Sequence, residues 1–190
     1  KGLEGDDVLI GGSGHDTIKG GEGDDAIYGD SGDDTISTGE GNDSVWGGSG
    51  DDTITSTAGT DTIDAGSGDN TIDVSSINST ISASSGNDTV NVLDGSGSSF
   101  DLGDGDNVLT ADVSVGNVTT GSGDDVINLS GGQDSVHVHS VDQAAKDGSW
   151  NYSYIGAWTR DHNNNYVKAG SGDDIITLTG AIELTIYDYG

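Results

Sequence analysis

Glycines 5, 14, 23, 32, 41, 50, 59 and 68 stand nine residues apart, and two positions after each comes an oxygen-bearing side chain: Asp7, Asp16, Asp25, Asp34, Asp43, Asp52, Asp61 and Asn70. Two residues further on is an aliphatic residue, Leu9, Ile18, Ile27, Ile36, Val45, Ile54, Ile63 and Ile72. Each aspartate supplies a hard anionic oxygen. Glycines admit positive φ and close backbone approach, so the turn before the aspartate can aim carbonyl oxygens at an ion. Calcium takes six to eight oxygens at roughly 2.3 to 2.6 Å, a demand that carboxylates and carbonyls of neighbouring turns meet together. Magnesium fits less well, because it requires a stricter octahedron and keeps its waters. The chemistry of this pattern is oxygen coordination of a hard cation. The carboxylate pairs follow from repetition, and no nucleophile elbow, metalloprotease helix or phosphate loop accompanies them.

The elements that must position these oxygens follow from the same period. The three residues after each aspartate alternate outward, inward, outward, as a very short β-strand should, and only the middle one is apolar. Such a strand cannot bury its own face, so successive copies must stack. Gly11-Gly12-Ser13-Gly14-His15-Asp16-Thr17-Ile18-Lys19 matches every fixed position of the nonapeptide G-G-x-G-x-D-x-U-x, and the chain resembles the RTX family. The resemblance implies an all-β, right-handed parallel β-roll with two nonapeptides per turn, and several calcium ions, each between one loop and the loop two copies on. The implied ligand pairs are Asp7 with Asp25, Asp25 with Asp43 and Asp43 with Asp61 on one edge. On the other they are Asp16 with Asp34, Asp34 with Asp52, Asp52 with Asn70 and Asn70 with Asp88. Asn107, Asp125, Asp134 and Asp174 extend the set of expected metal ligands.

Beyond Asp73 the pattern decays in alternation. Val74–Ser82 loses glycine and aspartate, Val92–Asp101 and Ala111–Thr119 are degenerate, and the three keep an inward Ile81, Phe100 and Val118. Ala83–Asn91, Leu102–Thr110 and Thr120–Asn128 recover Asp88, Asn107 and Asp125. Every failed copy falls on the same side of an 18-residue turn. This predicts one edge with a mostly continuous calcium ladder and one interrupted edge, where Val74, Ile77, Leu93, Val113 and Val115 suggest apolar packing in place of ions. The expected layout is a roll over residues 1–137, regular to 73 and alternately degenerate to 119, an aromatic insert over 138–168, and a last repeat with a terminal cap over 169–190. The acidic residues preceding the ligand aspartates, such as Asp6, Asp24, Asp33 and Asp51, are read as solvated or secondary.

Composition excludes several classes. Lys plus Arg number 5 against 34 Asp plus Glu, a formal net charge of -29, so phosphate backbones and anionic membranes are disfavoured partners. With 30% hydrophobic residues, such a chain repels itself and is expected to stay expanded unless cations neutralise it, which merges ion binding with folding. There is no Cys, so neither disulfides nor thiolate metal sites contribute. No span or signal pattern is evident, and the start at Lys1-Gly2, in mid-pattern, suggests a piece of something longer.

The insert gathers Trp150, Tyr152, Tyr154, Trp158, Arg160 and Tyr166 and reads as a hairpin-like segment with its second strand at Tyr166-Val167. Its aromatics either cover an end of the roll or contact a neighbouring domain, the favoured reading, or stack on the sugar rings of an extracellular or cell-surface polysaccharide. His137, His139 and His162 lack a clear acidic partner, and the outward threonines 17, 35, 53, 71 and 89 are ordinary strand residues. The expectation is a calcium-binding structural and presentation module of a secreted bacterial protein, an adhesin, surface-layer protein or exoprotein. It would be exported unfolded, by type I secretion as the resemblance implies, and would fold outside the cell. The alternative is a carbohydrate-binding or targeting module of a secreted polysaccharide-active enzyme. No catalytic site is expected in this chain, any activity belonging to neighbouring domains.

Overall fold

A computed structural model describes the backbone of residues 1–94, 96–139, 166–168 and 175–187, and side chains up to residue 130. None of the described residues is helical. The first strands are β1 (Val8–Ser13), β2 (Thr17–Glu22), β3 (Ala26–Ser31), β4 (Thr35–Glu40), β5 (Ser44–Ser49), β6 (Thr53–Ser56), β7 (Thr62–Ser67) and β8 (Thr71–Val74). There follow β9 (Thr80–Ser82), β10 (Thr89–Val92), β11 (Ser99–Asp101), β12 (Val108–Ala111), β13 (Val118–Thr119), β14 (Val126–His139), β15 (Tyr166–Lys168) and β16 (Ile175–Tyr187).

All pairings among these strands are parallel, and each strand pairs with the one after next. Leu9 faces Ile27, Ile27 faces Val45 and Val45 faces Ile63, while Ile18, Ile36, Ile54 and Ile72 form the matching file across the roll. The register advances by 18 residues, so two nonapeptides make one turn, and odd and even strands build two sheets that meet at β14 and β15. The architecture is the expected parallel β-roll.

Strands in the regular part are longer than three residues. β2, for example, runs Thr17–Glu22 and takes in Gly20 and Gly21. The glycine pairs stay extended and stacked because the backbones of adjacent turns approach too closely for side chains. Gly48 of β5, at φ 116°, is representative: a Cβ there would collide with the carbonyl oxygen of Asp30 on the preceding turn.

Two files of residues point inward. The first is the aliphatic file, from Ile27 to Ile127, almost wholly removed from water. The second begins as Gly20, Gly29 and Gly47 and then fills with Ala65, Val74, Ala83, Val92, Leu102, Ala111 and Leu129. The core thickens where the repeats degenerate. The apolar edge read from sequence is thereby corrected in part. Val74 and Val115 are buried and Val113 packs against the core, but Ile77 and Leu93 are exposed at 50% and 63%. Hydrophobicity alone does not fix which way a residue in an irregular turn points, and buried serines occupy the interior that Ile77 and Leu93 leave.

At the C-terminal end, β14 and β16 pair from Val126 with Ile175 to His139 with Tyr187, with an irregularity between Ser130 and Gln133. Asp134 lies within β14, paired with Ile182. The facing copy, Gly180-Ala181-Ile182, offers no aspartate turn to stack on, so the backbone stays extended. Tyr166 falls in β15, as a strand there was expected, and β15 pairs in parallel with Val118–Thr119 and with His137–Val138. The rest of the supposed hairpin, including Trp150, Tyr152, Tyr154, Trp158 and Arg160, lies outside the described residues, as does Asp174.

The aliphatic file makes a stability prediction. Ile54→Ala, at a fully buried position, is expected to lower unfolding free energy at saturating calcium by about 2–5 kcal/mol. Thr53→Ala, exposed on the same strand, is expected to change it by about 0.5 kcal/mol or less in the same urea titration.

Candidate metal centre

The ligand aspartates stack in two files, one on each edge. On the edge leading into the even strands, the main-chain N–H of Asp16 donates to Oδ1 of Asp34, that of Asp34 to Asp52, and so on through Asn70, Asp88, Asn107 and Asp125, at 2.7 to 3.0 Å. On the opposite edge Asp7 donates to Asp25, Asp25 to Asp43 and Asp43 to Asp61 at 2.8 to 2.9 Å. The file continues with serines: the Asp61 N–H donates to Ser79 Oγ and the Ser79 N–H to Ser98 Oγ, at 2.8 and 3.0 Å. One edge is an unbroken file of side-chain oxygens to Asp125, with Asn70 and Asn107 among its aspartates, and the other loses its carboxylates after Asp61, in the alternation that the sequence decay predicted.

This bonding uses one oxygen of each carboxylate. The second, Oδ2 of Asp25, Asp34, Asp43, Asp52 and Asp88, is buried with no hydrogen-bond partner. A buried, anionic and unpaired oxygen is strongly disfavoured unless a cation meets it. The space beside it is shaped for one. A Cβ placed on Gly47 would come within 2.6 Å of Asp52 Oδ2 and also press on the Ala65 carbonyl oxygen of the next turn. Carboxylate and carbonyl oxygens thus converge where the glycine leaves room. Among the described residues no three acidic or imidazole side chains meet at one point, so each cradle combines carboxylate with main-chain oxygen, a donor set that suits calcium.

The asparagines supply an independent check. Asn70 Nδ2 donates to the Gly68 carbonyl oxygen at 3.0 Å, and Asn107 Nδ2 donates to the carbonyl oxygens of Gly105 and Gly103 at 3.0 and 3.2 Å. An amide nitrogen, a positive hydrogen-bond donor, sits where an aspartate places an unpaired oxygen. The loop carbonyls beside Asn70 and Asn107 are thus placed to accept from a positive group at this position.

Asp61 differs again. Its Oδ2 accepts a bond of 2.5 Å from Ser56 Oγ, Ser56 Oγ bonds Ser76 Oγ at 2.5 Å, and Ser76 Oγ bonds Ser79 Oγ at 2.7 Å. These hydroxyls give Asp61 Oδ2 the partner that Oδ2 of Asp25 and Asp43 lacks on the same edge. Sequence reading missed this network, although Ser56 at the position held by Gly20 and Gly47 in earlier copies was a signal. It also undervalued the residues preceding the ligands. Asp6, Asp24 and Asn42, and on the other edge Asp33, Asp51, Asp69, Asn87 and Asp106, each accept the N–H of the next turn at 2.7 to 3.0 Å, forming an exposed outer ladder that runs opposite in sense to the inner one. His15 begins it by accepting the Asp33 N–H at Nδ1, 3.0 Å away.

Loss of water raises the pKa of Asp43, Asp52, Asp61, Asp88 and Asp125 above the ordinary carboxylate value, Asp52 to about 6. The bonds these groups accept offset that in part. Neighbouring carboxylates add to it, Asp34 acting most strongly on Asp52.

The sequence model described as RTX calcium-binding nonapeptide repeat (4 copies) matches residues 1–36, 28–63, 37–72, 64–98, 117–138 and 163–180. No curated protein and no solved structure matches the chain.

Two outcomes follow from the cradle. A carboxyl with a raised folded pKa keeps its proton better in the fold. Without metal, stability is therefore greatest below the unfolded value of 3.8 and is lost as pH rises through about 6. Protons and calcium compete for the same oxygens, so calcium titrations followed by circular dichroism should show weaker binding at pH 5 than at pH 7, with more residual β signal in chelator at the lower pH. Asn70→Asp replaces an internal donor by a second oxygen and should raise the number of calcium ions retained in native mass spectrometry, whereas Asp34→Asn should lower it.

Proposed function

Because this chain belongs to the RTX calcium-binding nonapeptide repeat family, we propose that it is the calcium-folded scaffold of a secreted bacterial protein, expanded where calcium is scarce and closed into a roll outside the cell. The observation that carries this reading is the file of buried carboxylates, each with one oxygen bonded to the adjacent turn and the other unpartnered, at Asp25, Asp34, Asp43, Asp52 and Asp88. Asp7 and Asp16, the first residues of the two files, belong to the same ligand set.

Calcium supplies positive charge and directional oxygen coordination at these cradles. The chain's own residues do the rest. The aspartates fix each turn to the next through Oδ1, the glycines admit the carbonyls, and the aliphatic file buries itself once the turns are stacked. A net charge of -29 opposes that closure in the free chain, and several bound dications remove much of the opposition. Folding then depends on external calcium, which suits export in an unfolded state and assembly at the cell surface or beyond it. The rigid roll presents neighbouring domains of a longer protein, and any catalysis resides in those domains.

The midpoint of folding is the test. Hydrodynamic radius measured across calcium concentrations should show compaction at a midpoint on the order of 10⁻⁴–10⁻³ M, the range of extracellular calcium modules. A chain already compact at the submicromolar calcium of a cell interior would contradict the export reading.

A further inference from the structure

The outer face of the odd sheet carries a feature that calcium binding does not use. Ile10, Tyr28, Trp46 and Asp64 occupy one outward column on successive turns. The rings of Tyr28 and Trp46 stack, with centroids 4.6 Å apart and planes 5° from parallel, a separation that the strand spacing of about 4.8 Å imposes. Tyr28 thus covers one face of the indole. The other face is turned along the sheet toward Asp64, whose side chain is far shorter, and Trp46 keeps 39% of its surface exposed. Ser44 and Gly48 on either side of Trp46 are small and leave the approach open. Past the indole, Ser84 Oγ donates to Asp64 Oδ1 at 3.0 Å, and Ser82 is the next residue of the column.

An aromatic face therefore rises from a floor of one carboxylate and two hydroxyls. A cross-strand aromatic pair is a sufficient structural device by itself, but it employs only one face of the indole. We propose that the step from Trp46 down to Asp64 binds a pyranose unit of a non-acidic polysaccharide. The C–H face of the sugar packs on the free indole face, Asp64 accepts bonds from ring hydroxyls, and Ser82 and Ser84 donate or accept further ones. A neutral or amino sugar is selected over a uronate or sulfated one because the Asp64 carboxylate in the floor of the step repels an anionic group brought against it. The proposal rests on the calcium-loaded roll, since residues 18 apart meet only when turns stack.

The test uses the full chain at saturating calcium, with circular dichroism first establishing the folded state of parent and variants. A chain that fails to fold with calcium refutes the roll, separately from the sugar site. Calorimetric titration with cellohexaose, mannohexaose and chitohexaose, and with polygalacturonate as the acidic control, should show saturable binding of at least one non-acidic oligosaccharide and none of the control. Trp46→Ala should weaken it at least about tenfold, or 1.4 kcal/mol. Asp64→Ala, outside the ring stack, should weaken it as well and decides the matter if Trp46→Ala does not fold. Absence of binding to all three oligosaccharides overturns the site. So does binding that survives both variants but is lost in Trp150→Ala/Trp158→Ala, or a self-association in sedimentation that Trp46→Ala abolishes.

Discussion

The structure depends on the stacking of like charges. Aspartates on adjacent turns lie one strand spacing apart, close enough for each main-chain N–H to reach the next carboxylate at 2.7 to 3.0 Å, and buried enough for the outer oxygens to lose water. At that separation two unit charges in a partly dry environment repel by several kcal/mol. A ladder of such contacts is untenable unless something positive enters between the turns. The period, the glycines and the charge of the chain all follow from making room for that neutralisation.

The roll relaxes this requirement along its length. Asn70 and Asn107 turn an amide toward loop carbonyls, and Ser56, Ser76 and Ser79 give Asp61 hydroxyl partners. The second inward file meanwhile grows from glycine to Val74, Val92, Leu102 and Leu129. Internal hydrogen bonds and apolar burial thus take over where cation coordination recedes.

Much of this was legible because the repeat keeps phase. Gly5 to Gly68 and Asp7 to Asn70 fix the turn, the inward residues fix the sheet faces, and alternating decay after Asp73 revealed two copies per turn. What escaped depends on neighbours that sequence does not place side by side. Ser56 and Ser76 are 20 residues apart, and Tyr28 and Trp46 are 18 apart, so neither pair is marked by local pattern. The two-sided use of each aspartate, one oxygen for the backbone and one left over, is a matter of side-chain rotation within a turn.

Family membership and geometry converge on one physical claim, that the stacked carboxylates of this chain need a cation to close the roll. Far-ultraviolet circular dichroism of the chain at neutral pH, in chelator and then titrated with calcium and separately with magnesium, addresses it directly. A cooperative gain of β signal with calcium alone is the predicted result. A β spectrum already complete in chelator and unmoved by calcium would contradict the account.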